Sequence, residues 1–175
     1  YSIVARDTIT GEMGVAVQSH WFSVGSLVIW GKAGVGVVAT QSLVNPSYGP
    51  KGLALMEQGL SPQQALDALL ANDKGEMYRQ VSFLDYEGNV ATHTGSSCID
   101  MAGHKHGKNF SVQANMMLNN TVWDAMANAF ESTVGTLQER ILEALKAAEN
   151  QKGDIRGKQS AAILIVKGHA TGNSW

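Results

Sequence analysis

Residues 34–50, GVGVVATQSLVNPSYGP, change character halfway along. Val35, Val37 and Val38 are β-branched and lie in an unbroken apolar run, which reads as a buried strand. Asn45-Pro46, Gly49 and Pro50 then forbid that strand to continue. It therefore delivers Thr40, Gln41, Ser42 and Asn45 to its own end, where side-chain amides and freed backbone groups can meet a ligand. The run Gly34-Val-Gly36-Val-Val-Ala39 also matches the G-x-G-x-x-A nucleotide fingerprint. That motif works only as a turn between a strand and a helix, and these glycines lie inside the β-rich run, so no dinucleotide site is expected.

Upstream, residues 1–6 (YSIVAR) and 13–20 (MGVAVQSH) are β-rich runs separated by turn formers at 7–11, the pattern of a hairpin. In the second run Val15 and Val17 alternate with Gly14 and Ala16, so one face is large and the other small, as where something packs closely on a sheet. Residues 26–29 read as a third strand and 34–41 as the fourth. From Pro50 the period becomes helical through Leu53, Leu55 and Met56. Ser61-Pro62 then caps a stretch carrying Ala65, Leu66, Leu69 and Leu70, giving two helices or one broken at Gly59. Residues 80–85 and 89–94 form a hairpin around Gly88. Residues 96–109 show no period and read as a surface excursion, followed by a strand at 110–117. Asn120 is placed to cap a helix to Val134, a second helix spans 136–150, 152–158 is a polar linker, and 161–166 is a last strand. Blocks of strands and blocks of helices, rather than alternating units, predict an α+β fold.

At 175 residues the chain is expected to form one domain over its whole length. A net charge of −2 offers no electrostatic case for nucleic acid or a membrane surface. No apolar run approaches the roughly 20 residues of a membrane span, and the first residues lack the plan of a signal peptide, so a soluble, cytoplasmic protein is expected. Cys98 is the single cysteine, so no disulfide forms within the chain, and its thiol reads as inert rather than as a nucleophile served by His93. His104 and His106 lack a third ligand at a suitable spacing, and neither a metal nor a cofactor is expected. Trp21, Phe22 and Trp30 read as core or subunit-contact residues, consistent with a homo-oligomer.

Polar residues gather at the strand ends: Gln18, Ser19 and His20; Thr40, Gln41 and Asn45; Gln113 and Asn115; Asp154, Arg156, Gln159 and Ser160. Uncharged amides there can hold substrate oxygens, and equally can cap strands and turns.

Taken together, Ser2-Ile-Val-Ala-Arg-Asp7, Gly14-Val-Ala-Val-Gln-Ser19, Ala39-Thr-Gln41, Asn45-Pro-Ser-Tyr-Gly-Pro50, His93-Thr-Gly95, Ala102-Gly-His104, Gln113-Ala-Asn115 and Arg156-Gly-Lys-Gln-Ser160 resemble domain-of-unknown-function family 1028 across the whole chain. That family is grouped with the N-terminal-nucleophile (Ntn) hydrolases. The resemblance implies a four-layer α/β/β/α sandwich of two stacked antiparallel sheets. It also implies a nucleophile at the start of the first strand, activated by its own free α-amine of pKa about 8. On this chain the nucleophile would be Ser2, with Gln41, Asn115 and Asp154 around it. Ser19, Thr40, Asn45, His93, Gln113, Arg156 and Gln159 would contact substrate. Thr40, Gln41 and Asn45 would face the start of the first strand. Lys32 lies near where a lysine assists in proteasome subunits, which the layout resembles. Tyr1 precedes Ser2, so self-activation requires the free amine to lie on Ser2. The family pattern usually continues past Trp175, and further sheet residues are expected there. The implied activity is cleavage of an amide bond in a small molecule or peptide; the alternative is a non-catalytic ligand-binding or homo-oligomeric assembly module on the same fold.

Overall fold

Residues 1–170 and 172 are described by a computed structural model of the chain. Among them run β1 (Ser2–Arg6), β2 (Met13–Ser19), a one-turn α1 (Gly25–Val28), β3 (Ile29–Lys32), β4 (Gly36–Ser42), α2 (Tyr48–Glu57), α3 (Pro62–Leu70), β5 (Arg79–Asp85), β6 (Val90–Thr94), β7 (Gly103–Gly107), β8 (Phe110–Ala114), α4 (Val122–Ser132), α5 (Leu137–Asn150) and β9 (Ser160–Val166). The strands form two sheets, ordered β7-β8-β1-β2-β9 and β3-β4-β5-β6, and neighbouring strands pair antiparallel throughout. The fold is thus mixed α+β with two antiparallel sheets and five helices. No helix among the described residues is long and apolar enough to cross a membrane.

Local chemistry explains the elements that sequence located well. Asp7 Oδ1 accepts from the backbone N–H groups of Ile9 and Thr10, both at 2.8 Å, and this Asx turn closes the β1–β2 hairpin. Ser61 and Gln64 form a reciprocal capping box at the start of α3, and Thr136 and Glu139 form another at α5. Gly59, at φ 93°, makes the break between α2 and α3.

Four expectations need correction. Residues 25–28 form a helical turn instead of a strand: Ser23 sits at φ 53° and Val28 N donates to Val24 O, so strand geometry begins only at Ile29. Within 96–109 lies β7, which among the described residues pairs only with β8. An edge strand of sequence GHKHG carries polar side chains on both faces, so it has no apolar alternation to read. β8 stops at Ala114, before Met116 turns to φ 59°. α4 begins after Thr121 without a side-chain cap, so Asn120 does not cap it, and the helix ends at Ser132.

Strand alternation sorts the core into three regions. Ile3, Ala5, Phe110 and Val112 pack with Met126 and Phe130 of α4 and Ile141 and Leu145 of α5. Gly14 allows that close approach, since a Cβ there would lie 2.5 Å from Ile141 Cδ1. Val38, Val81 and Phe83 pack with Tyr48, Leu53 and Met56 of α2 and with Ala65 and Leu66 of α3. Val4, Met13, Val15 and Val17 of one sheet meet Val37, Ala39 and Leu84 of the other. Burying a side chain such as Phe83 or Ile141 completely contributes roughly 1.5–3 kcal/mol. Trp30 packs against the α2 and α3 cluster, whereas Trp21 and Phe22 stand exposed.

Candidate functional site

The alternation that aims Val4 and Val37 between the sheets also aims polar residues there. Ser2, on the face of Val4, donates from Oγ to Gln41 Oε1 at 2.6 Å and accepts from Gln113 Nε2 at 2.5 Å. Gln113 Oε1 accepts from Ser111 Oγ at 3.2 Å. The chain continues through Thr92 at 2.8 Å to Ser82 at 2.9 Å. A second set of bonds centres on Gln80, opposite Gln41 in the β4–β5 ladder. Its Nε2 donates to Ala114 O at 2.9 Å, Thr94 Oγ1 at 3.0 Å and Gly103 O at 3.2 Å, while its Oε1 accepts from Asn115 Nδ2 at 3.0 Å. Ser2, Gln80, Ser82, Ser111 and Gln113 are completely buried. Buried polar groups persist only when partnered in this way.

Where β1 begins and β4 and β8 stop, the network meets a cleft of about 380 Å³. Gln41, Ser42, Leu43 and Val44 line it from one sheet's end, Asn115 and Met116 from the other. Tyr1, Ser19, Trp21, Val24, Leu27, Val28, Arg79, Ile99, Asp154 and Arg156 complete the wall. Ser42 and Met116 adopt φ 68° and 59°, a left-handed conformation costing about 1 kcal/mol or more for such residues, and such strain clusters at binding sites.

The charged groups of the wall are paired. Arg156 grips Asp154 through Nε to Oδ1 at 2.9 Å and Nη2 to Oδ2 at 2.6 Å, and its backbone N–H adds a third bond at 2.9 Å. Burial opposes ionisation of Asp154, yet these bonds hold its pKa below the ordinary 3.8. Arg156 Nη2 also reaches Ser19 Oγ at 3.4 Å. Arg79 donates from Nε to Asp73 Oδ2 at 2.8 Å and from Nη1 to Leu43 O, and its guanidinium holds Asp73 well below the usual carboxylate range. The Tyr1 nitrogen donates to Gln18 O at 3.2 Å. In a chain that starts at Tyr1, burial pushes this amine down to about 5, with Asp154 pulling the other way.

Of the expected catalytic set, Gln41, Asn115 and Asp154 line the cleft, and Ser2 lies directly behind Gln41 with its Oγ enclosed. Of the expected substrate contacts, Ser19 and Arg156 line it, and Gln113 is two hydrogen bonds behind it, through Ser2 and Gln41. The other four lie elsewhere. Thr40 neighbours Gln41 along the strand and so points to the opposite face, where Oγ1 donates to Leu27 O at 2.7 Å. Asn45 lies beyond the turn at Ser42 and is held by Ser47 and Asp73. His93 Nε2 is 2.9 Å from Glu76 O, and Gln159 is exposed. Lys32 is engaged by Glu57 at 2.6 Å. Cys98 is buried, with Sγ donating to Arg79 O at 3.3 Å. Burial, then His106 and His93, push His104 down, and no group of three potential metal ligands occurs among the described residues.

Gln80, Ser82, Thr92, Ser111 and Arg79 escaped the sequence reading. For Gln80, Ser82 and Ser111 the signal was alternation: QVSF within β5 and FSVQA in β8 place polar residues at every second position between apolar ones. Two buried faces, one of them polar, satisfy that pattern.

The model of a family of unknown function, DUF1028, matches residues 1–175. Among solved structures, a crystal structure of protein SPO2555 from Silicibacter pomeroyi, assigned to the same family, is similar at 33% identity and a TM-score of 0.89. The likeness covers 95% of this chain and 75% of that one. No curated protein matches.

Proposed function

This chain belongs to DUF1028, a family of unknown function, and we propose from its geometry that it is an Ntn-type hydrolase acting on an amide bond. Helices α4 and α5 lie against one sheet and α2 and α3 against the other, which supports a four-layer α/β/β/α reading of the fold. The observation that carries the activity is the 2.6 Å bond from Ser2 Oγ to Gln41 at the head of β1, directly behind the cleft. In this reading Ser2 Oγ attacks the amide carbon once it exchanges Gln41 for substrate. Its proton passes to the α-amine of Ser2, which this step requires to be free of Tyr1, and on to the leaving amine, and water then hydrolyses the ester. Gln41 Nε2 stabilises the oxyanion, and Asp154 holds Arg156 at the rim.

A second reading, a ligand-binding module without chemistry, draws on the enclosure of Ser2 Oγ, which spends its proton on Gln41 and accepts from Gln113. Exposed Trp21 and Phe22 support the homo-oligomeric form of that module. Turnover of a panel of small amides by wild type and Ser2→Ala, with intact mass and circular dichroism recorded for each, separates the two. The hydrolase reading expects a loss of about a thousandfold or more in kcat/KM. Unchanged turnover in folded Ser2→Ala removes Ser2 as nucleophile, and binding without any turnover leaves the module.

A further inference from the structure

We infer that the cleft recognises a carbonyl oxygen and an N–H presented along one edge of a ligand, as in a primary carboxamide or a lactam, and not the trans amide of a peptide bond. This rests on the hydrolase reading and narrows its substrate class.

The inference starts from Gln80. Its Nε2 faces two backbone carbonyls, Ala114 O at 2.9 Å and Gly103 O at 3.2 Å. A flipped amide would set oxygen against oxygen at both, so the orientation is fixed by the main chain. Gln80 Oε1 must then point to Asn115, which answers with Nδ2 at 3.0 Å. Asn115 Oδ1 is left over as an acceptor on the wall of the cleft.

Gln41 supplies the complement. Its Oε1 accepts from Ser2 Oγ, which leaves Nε2 as the donor that the residue can offer to the cleft. The residue is only 6% exposed, and what is exposed belongs to the cleft. Gln41 and Gln80 are direct partners in the β4–β5 ladder, Asn115 is bonded to Gln80, and Gln41 and Asn115 both line the cleft, so the ladder brings donor and acceptor to the same end of it. A primary carboxamide or lactam offers C=O to Gln41 and N–H to Asn115 from the same edge. A trans peptide unit points these groups to opposite sides and satisfies only one. A carboxylate would set a second acceptor against Asn115 Oδ1, and the cations that would favour it, Arg79 and Arg156, are already bound by Asp73 and Asp154. Beyond this polar end the wall is apolar, through Leu27, Val28, Leu43, Ile99 and Met116, which fits an apolar substituent on the amide.

The test is calorimetric binding of 3-phenylpropanamide, 3-phenylpropanoate and N,N-dimethyl-3-phenylpropanamide, with hydrolysis of the two amides assayed separately. The primary amide is expected to bind at least about tenfold more tightly than either analogue, the size of one well-made hydrogen bond. Gln41→Glu keeps the acceptor for Ser2 and replaces the donor facing the cleft, and it should abolish that preference. Gln41→Met, of similar volume with neither polar atom, should do the same and serves if the glutamate variant fails to fold. Equal binding of the three probes, no binding of the primary amide, or a preference that survives in a folded Gln41 variant overturns the inference. A carboxamide that binds tightly and is never hydrolysed sinks the hydrolase reading alone. Hydrolysis of dialkyl amides with no carboxamide preference sinks this inference alone.

Discussion

The space between the two sheets is filled in two different ways. On one side Val4, Met13, Val15, Val17, Val37, Ala39 and Leu84 interlock as an apolar layer. On the other, Ser2, Gln41, Ser82, Thr92, Ser111 and Gln113 occupy equivalent strand positions and are joined by hydrogen bonds, and Gln80, beside Gln41 in the ladder, is bonded instead to Thr94 and Asn115. Non-directional packing needs volume and little else, so the apolar side can be refilled with other side chains of similar size. The polar side needs every donor to meet an acceptor, so each residue fixes the sense of the next. A chain that wanted only stability could have used the first solution throughout. The second spends side-chain amides on orienting other amides, and it lies where the cleft opens.

The sharpest way to break this comparison is a volume-conserving swap on each side. Gln80→Leu removes the donor shared by Ala114 O and Gly103 O and leaves Asn115 without its acceptor, all at a fully buried position. It should cost about 3 kcal/mol in urea unfolding. Leu84→Met, equally buried but on the apolar side, should cost about 1 kcal/mol. Equal costs at the two positions would erase the distinction. The smallest effect is expected at the cleft rim, where Arg156 is partly exposed and solvent weakens its hold on Asp154. Because the folded pKa of Asp154 lies below 3.8, its contribution is complete above that pH and is lost as pH falls through the folded value. The stability gap between wild type and Asp154→Asn, about 0.5 kcal/mol at neutral pH, should therefore close on acidification. A gap that widens in acid would mean that the carboxylate is not the stabilising form.

What could be read from sequence was what short-range chemistry decides. The β1–β2 hairpin, the capped starts of α3 and α5, and the glycine break at Gly59 each depend on a few adjacent residues. Strand β7 was hidden because an edge strand need not alternate, and the turn at Gly25–Val28 because one left-handed serine redirects a β-prone run. The site was partly legible for the same reason. Residues 34–50 end a strand in polar groups, and Gln41 does reach Ser2. Thr40 could not join it, since adjacent strand residues face opposite ways, and Asn45 was captured by Asp73 after the chain turned. Gln80 and Ser111 were marked only by their alternation with apolar neighbours, and what that polar face meets depends on which strand stands opposite, which local sequence does not record.

The central claim is that the buried network fixes which atom each amide offers to the cleft. Hydrogen exchange of the side-chain amides, followed by NMR, tests it directly. The Gln80 NH2, enclosed and bonded to two backbone carbonyls, should exchange slowly, while the Gln41 NH2 should exchange rapidly and be slowed by bound 3-phenylpropanamide. Rapid exchange at Gln80, or a Gln41 amide that is protected before any ligand is added, would contradict the account.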